Sequence, residues 1–426
     1  MEHKGNPLFA PDGRDAAEDG GLSAMYKFFR YLLFRLDPET SHQLTLQLLR
    51  IAGNIPFSNW LLTQLYKTES KPVQAFGLTF KNPIGLAAGY DKDALAIRGL
   101  SALGFGHIEI GTVTPEPQAG NQRPRVFRLL EDEAVINRMG FPSRGAEYVA
   151  TSLRRSNLPF NRGLLRRRGL DPSEKTARSA RPTAPRNDMI LGINLGKNKD
   201  TPLEEAARDY IALIKVFSPL ADYLTINISS PNTVGLRRLQ GRGMLEGLLE
   251  AVARERRNLS LTPNPSPHFD SPALPGTCAR GKCAPGASVA AAPLSASGRG
   301  GLIPILVKIS PDLDDEELDD AIGIILDKKM DGIIATNTTL AREGLGSRLR
   351  GEAGGLSGSP LAAGSEAVLR QVVKRVDGRV PIVSVGGIMN LDDAKKRFAL
   401  GASLVQVYTG LVYRGPALVK QILKSL

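Results

Sequence analysis

The sequence predicts an α/β fold: a closed (β/α)8 (TIM) barrel preceded by an N-terminal amphipathic helical pair and interrupted by two disordered insertions. Three observations predict it. Eight short apolar runs recur from about residue 76 onward, longer helical stretches separate them, and the runs close on Gly, Asn, Thr or Lys. Continuous apolar strands alternating with helices argue for a parallel sheet covered on both faces. Eight such strands suit a closed barrel better than an open sheet.

The chain opens on MEHKGNPLFAPDGRDAAEDGGLSA, with five acids and two bases. That composition fits neither a signal peptide nor an acid-poor presequence, so residues 1–23 are expected to be a disordered tail. No run of 18 apolar residues follows, so no helix is expected to span a membrane. In AMYKFFRYLLFRLD, residues Met25, Phe28, Phe29, Leu32, Leu33 and Leu36 fall on one helical stripe, flanked by Lys27, Arg30 and Arg35. Asp37-Pro38 then reads as the cap and first turn of a second helix. Stripes of this kind more often pack on a core, and the alternative is a helix pair lying in a membrane surface. Residues 24–70 make up this helical segment and 71–426 the barrel.

The strands follow as NPIGLAAG (82–89), HIEIGTV (107–113), MILGINLG (189–196), YLTINIS (223–229), IPILVKIS (303–310), DGIIATNTT (331–339), VPIVSVGGI (380–388) and ASLVQVYTG (402–410). Two intervals are too long for simple connections. Residues 161–188 carry eight Arg or Lys against three acids, and 258–300 hold seven prolines with few large apolar residues. Neither composition offsets ordering entropy by burial, so both are expected as disordered insertions on the barrel surface. The net charge of +12 raises nucleic acid, anionic lipid or a phosphate-bearing ligand as partners. Much of it sits in the first insertion, which is read as a solvated linker, and no nucleic acid partner is expected. Cys278 and Cys283, both in the second insertion, are spaced by four with no second pair. They make a poor zinc site, and no metal is expected.

Catalytic groups in a barrel gather at the C-terminal ends of the strands. Here those ends offer amides, hydroxyls and two lysines, but few acids and no histidine. Paired-carboxylate hydrolysis and metal-ligand clusters have no candidates. None of His3, His42, His107 and His268 sits at a strand end facing Ser230, so a serine triad fails. The set suits a planar, anionic cofactor and substrate. Gly386-Gly387 occupies the usual phosphate position, and Lys308 is a cation inside an apolar strand that needs an anion or electron-rich ring.

The runs FKNPIGLAAGYDKD, IEIGTVTPEPQAGNQRPRVFRL, INRMGF, LGINLGKNKDTP, TINISSPNT, IIATNTT, GGLSGSPL, SVGGI and GASLVQVYTGLVYRGP resemble, in this order, dihydroorotate dehydrogenase of the membrane-associated, quinone-dependent class. The resemblance covers roughly residues 24–160, 189–257 and 301–426. It implies an FMN-containing barrel that oxidises (S)-dihydroorotate to orotate in pyrimidine synthesis and passes the electrons to a membrane quinone. By this resemblance Ala88, Gly89, Tyr90, Asp91, Lys92, Thr112, Asn194, Asn227, Lys308, Thr336, Gly358, Gly387, Tyr408 and Thr409 match flavin-contacting positions. Lys92, Asn137, Arg138, Met139, Gly140, Phe141, Asn227, Asn232, Asn337 and Thr338 match substrate-holding positions. Ser230 matches the base that takes the C5 proton, Ser229 being structural, and Lys308 matches the charge that stabilises the reduced ring. The soluble class of the family uses a cysteine base, and neither cysteine here lies in the barrel.

The resemblance also reverses the reading of the first helices, which become a membrane contact and a quinone tunnel lined by His42, Arg128 and Tyr408. It implies a monomeric peripheral membrane protein, and the lack of a presequence points to the cytoplasmic face of a bacterial cell membrane. The chain departs from the family pattern at Pro142-Ser143, where two asparagines are usual, and at Tyr90, where a smaller apolar residue is common. Two rivals fare worse. A flavin barrel reducing tRNA uridines needs a barrel cysteine, and a degenerate RNA-binding scaffold has no use for the polar strand ends.

Overall fold

The computed structural model describes residues 20–156, 189–233, 235–261 and 302–426. The Arg-rich insertion and most of the Pro-rich one lie outside them. Two boundaries move. The expected tail through residue 23 gives way to helix at Gly20, and residues 258–261, expected as insertion, complete the helix Arg242–Leu261.

Three N-terminal helices stand where a pair is expected: α1 (Gly20–Phe34), α2 (Pro38–Asn54) and α3 (Pro56–Leu65). Asp37 caps α2 by accepting from the Glu39 and Thr40 amides, with Pro38 in the first turn. Pro56 lacks an amide hydrogen and opens α3 as a separate helix. Met25, Phe28, Phe29 and Leu32 of α1, Leu44, Leu48 and Ile51 of α2, and Phe57 and Trp60 of α3 are all exposed. So much exposed apolar area marks an interaction face.

The other side of these helices grips the barrel. The Tyr26 hydroxyl donates to Val412 O (2.7 Å), Arg30 to Tyr413 O (2.6 Å), and the Phe34 ring meets Tyr413 edge-on. Where α2 crosses the barrel helix Ile97–Ser101, a Cβ on Gly53 would sit 2.3 Å from the Gly99 amide nitrogen. Glycine is therefore required for the crossing. Glu39, buried on α2, accepts from Arg125 (2.8 Å) and Arg123 (2.9 Å). Burial works to raise its carboxyl, but the two guanidiniums outweigh it and hold the group below the usual carboxylate range. The pair's stabilisation is thus complete above the unfolded-state value near 4.3 and is lost as pH falls through the lower folded value. Removing one partner of such a buried pair costs about 3–5 kcal/mol. Glu39→Ala is expected to lower thermal stability by that order at neutral pH and to lose less stability than wild type below about pH 4, checked by melting curves across pH.

After the helices come a hairpin, β1 (Val73–Ala75) and β2 (Leu78–Phe80), and then β3 (Ile84–Leu86) and β4 (His107–Val113). β5 (Val126–Leu129), β6 (Ala134–Asn137), β7 (Ile190–Leu195), β8 (Tyr223–Asn227), β9 (Ile305–Ile309), β10 (Gly332–Ala335), β11 (Gly355–Gly358), β12 (Ile382–Val385) and β13 (Leu404–Val407) follow. The eight predicted runs form one closed parallel barrel in the order β3-β4-β7-β8-β9-β10-β12-β13. The hairpin brings Phe76 and Phe80 against Tyr223, Leu306 and Leu404, an apolar cluster inside the barrel, and the Phe80 ring meets His107 edge-on. At the far end, β5, β6 and β11 make a small antiparallel sheet that carries Arg128, Asn137 and Gly358 to the strand ends.

Candidate active site

Adjacent strands in register place Asn227 beside Lys308 and Asn194 beside Thr225. Together with the loops that follow, they bring the expected residues to one cavity. It is lined by Ala88, Gly89, Tyr90, Lys92, Thr112, Asn227, Ser230, Lys308, Thr336, Gly358, Gly387, Tyr408 and Thr409. Asn137, Met139, Gly140, Phe141, Asn232, Asn337 and Thr338 close one side, and His42 and Arg128 the other. Three expected contacts lie off its wall. Asp91 is buried and spends its carboxylate on the Leu95 and Ala96 amides, and burial lifts it to about 6. Arg138 turns away to pair with Glu352 (2.6 Å). Asn194 lies one layer behind, accepting from Thr112 Oγ1 (2.6 Å) and Asn227 Nδ2 (2.9 Å).

The two serines of the ISSPN run separate clearly. Ser229 is fully buried; its hydroxyl donates to Asn227 Oδ1 (3.2 Å) and accepts from Asn337 Nδ2 (2.9 Å). Ser230 faces the cavity, and among the described residues its hydroxyl accepts only a long bond from the Asn232 amide (3.3 Å). Arg237 holds this loop in place by donating to Ser229 O (3.3 Å) and Thr338 O (3.0 Å) while paired with Asp312 (2.7 Å). Nearby, Asn232 Nδ2 donates to Asn137 Oδ1 (2.9 Å), while Asn232 Oδ1 is buried with no partner among the described residues. That oxygen is placed to accept a hydrogen bond from a donor in the cavity.

Two lysines supply positive charge. The Lys92 ammonium donates to Gly89 O (2.8 Å), and burial lowers it to about 8. Lys308 is buried and donates to no acceptor among the described residues; burial lowers it too, while Glu109 works the other way. Glu109 was not foreseen. It lies fully buried beneath the cavity and accepts from Asn194 Nδ2 (2.8 Å), Tyr223 (3.1 Å), Thr225 (3.3 Å) and Gln406 Nε2 (3.1 Å). Drawing the Gln406 NH2 downward leaves its Oε1 without a partner among the described residues, on a side chain that lines the cavity. The available signal was a lone polar residue inside an apolar strand, the same feature that marks Lys308.

Toward the N-terminal helices the cavity turns apolar and aromatic. The His42 ring meets Tyr90 edge-on (5.0 Å) and Tyr90 meets Tyr408 (5.8 Å), while Tyr26, Leu33 and Phe34 form the wall beyond. Burial lowers His42 to about 4, so it is neutral at physiological pH. Arg128 donates to Phe34 O (3.2 Å) and Ser41 Oγ (2.9 Å), which fastens α1 and α2 to β5. Of the departures from the family pattern, Pro142 lines the cavity, and the Ser143 hydroxyl accepts from the Thr114 and Gly145 amides. Among the described residues no cluster of metal-ligating side chains occurs, and no helix is long and apolar enough to cross a membrane.

Comparison with known proteins matches this architecture along nearly its whole length. The family model of dihydroorotate dehydrogenase matches residues 71–426. A dihydroorotate dehydrogenase (quinone) of Burkholderia thailandensis is 41% identical over 406 residues, covering 95% of this chain and 98% of the relative. One from Acidithiobacillus ferrooxidans is 43% identical over 406 residues, 94% of each. Among solved structures, DHODH of Eimeria tenella in complex with ferulenol superposes with a TM-score of 0.71 at 36% identity, covering 93% of both chains.

Proposed function

The chain belongs to the dihydroorotate dehydrogenase family, and from that membership we propose that it oxidises (S)-dihydroorotate to orotate for pyrimidine synthesis, with FMN as hydride acceptor and a membrane quinone as final electron acceptor. The observation that carries this reading is the continuity of the cavity. A single space runs from Ser230 and Lys308 at the strand ends to Leu33, Pro38 and His42 between α1 and α2.

The donor set fits FMN. Gly386 and Gly387 line the cavity and donate no amide hydrogen to the described residues, which suits a phosphate. Gln406 Oε1 and the Lys308 ammonium suit a ring with an imide edge and a site of growing negative charge. When bound, FMN supplies a ring that accepts a hydride. The chain's own residues do the rest. Asn137, Asn232, Asn337 and Thr338 hold the amide edges of the dihydropyrimidine, and Lys92 holds its carboxylate. Ser230 takes the C5 proton, which the neighbouring carbonyl acidifies, and hands it on to water. Lys308 opposes the charge that builds as the C6 hydride leaves. His42, neutral and edge-on to Tyr90, lines the path by which a quinone head reaches the site. The exposed apolar side chains of α1, α2 and α3 rest in the surface of the membrane, on the cytoplasmic face of a bacterial cell, with the protein acting as a monomer.

The test is anaerobic. Dihydroorotate is expected to bleach the visible flavin spectrum of the purified protein, and quinone to restore it. Recovery with fumarate or NAD but not quinone would overturn the acceptor assignment, and a protein that stays colourless after FMN is added would overturn the reaction.

The pH dependence of substrate binding follows from Lys92. Its ammonium, lowered to about 8 by burial, can pair with a carboxylate only while protonated. kcat/KM for dihydroorotate is therefore expected to fall as pH rises through about 8, and Lys92→Met is expected to be weak at every pH and to lack that limb.

A further inference from the structure

Arg397, on the barrel helix Leu391–Ala399, is fully buried directly behind the Gly386-Gly387 turn. A buried guanidinium is costly unless its charge is paired and its hydrogens are used. Here one nitrogen makes every hydrogen bond. Nη2 donates to Gly386 O (2.9 Å), Ala362 O (3.0 Å) and Ser365 Oγ (2.9 Å), and the Ser365 hydroxyl also donates to Gly386 O (2.8 Å). Among the described residues Nε and Nη1 have no hydrogen-bond partner, and the nearest carboxylate, Glu366, stands 3.8 Å from Nε. The positive charge is therefore only partly offset by the protein around it.

The geometry of the turn shows where that charge acts. Gly386 and Gly387 have φ of +116° and +71°, and a Cβ on Gly387 would lie 2.3 Å from the Ala362 Cα. In a planar trans peptide the carbonyl oxygen and the amide hydrogen point in opposite directions. Drawing the Gly386 carbonyl back onto Arg397 and Ser365 therefore turns the Gly387 N–H the other way, toward the cavity that both glycines line.

We propose that Arg397 is a positioning residue for the phosphate of the cofactor: it orients the Gly386-Gly387 peptide so that an amide hydrogen faces the anion, and it places a positive charge, only partly offset by Glu366, behind it. The ligand class is a phosphate monoester, and the inference rests on the FMN reading above. Its effect is expected at the phosphate end of the cofactor and not at the groups assigned to the ring, Lys308 and Gln406.

The test compares FMN with riboflavin, which shares the ring and lacks the phosphate. Full-length protein stripped of cofactor is titrated with each, and Kd is read from flavin fluorescence. Arg397→Met is expected to weaken FMN at least tenfold while leaving riboflavin unchanged, and Arg397→Lys is expected to recover part of the loss. Equal weakening of both ligands would mark Arg397 as structural and overturn the proposal, as would an unchanged FMN Kd. Should Arg397→Met fail to fold, Arg397→Gln decides by the same ratio, because it keeps a donor to the carbonyls and removes the charge. A wild-type protein that binds no FMN would instead overturn the functional reading beneath.

Discussion

Ser230→Ala is expected to slow flavin bleaching by dihydroorotate about 10²–10⁴-fold, the range that a positioned general base contributes. Reoxidation by quinone should be untouched, because it involves neither the C5 proton nor the substrate loop. The expectation rests on the difference between two adjacent serines. Ser229 has its hydroxyl committed to Asn227 and Asn337, whereas the Ser230 hydroxyl lines the cavity and makes one long contact. Arg237 fixes the loop from behind through Ser229 O and Thr338 O, so alanine at 230 removes a hydroxyl without releasing the backbone. Single-turnover stopped-flow separates the two half-reactions. Full bleaching speed in Ser230→Ala, with the loss appearing in Ser229→Ala, would exchange the roles assigned to the pair.

Lys308→Met is expected to cost about 10²–10³ in the same half-reaction, as when one preorganised electrostatic group is removed from a site of developing charge. Methionine has similar length and no charge, so packing against the strand is kept. Stability separates this from general damage. The ammonium is buried and donates to nothing among the described residues, and its removal relieves a desolvation cost. Cofactor-free Lys308→Met should therefore melt no lower than cofactor-free wild type, even as turnover collapses. A variant that melts well below wild type, with activity lost in proportion, would reassign Lys308 to the fold.

The barrel was legible in the sequence because a strand buried on both faces reads as an unbroken apolar run, and all eight runs occupy barrel positions. The elements outside the barrel were not. The β1–β2 hairpin turns on Phe76-Gly77, with Phe76 at φ +53°, instead of the Asn-Gly or Asp-Gly pair that announces a tight turn. The small sheet pairs β6 with β11, Asn137 with Gly355, across more than half the chain, and no local pattern encodes that contact. The second helix ends near Gly53 as its sequence predicts, but the short α3 after Pro56 carries no periodic stripe of its own to announce it. In the site, the residues at strand ends were legible from position alone. Glu109 and Gln406 lie within their strands and below the ends, in a barrel interior that also carries charge and amides, so position at a strand end does not mark them. Asn194 and Arg138 show the converse limit: an amide or guanidinium at a strand end can face the next layer of protein instead of the cavity.

The division of the cavity between two parts of the chain has an evolutionary consequence. The family model begins at residue 71, and everything assigned to the carbon chemistry lies after it. The segment before it contributes Tyr26, Leu33, Phe34, Pro38 and His42 to the apolar mouth. Under the proposed function, changes in the first helices can thus rework the mouth while the barrel behind it is inherited intact. The Glu39 anchor and the Gly53–Gly99 crossing are the joints that such a lineage has to preserve.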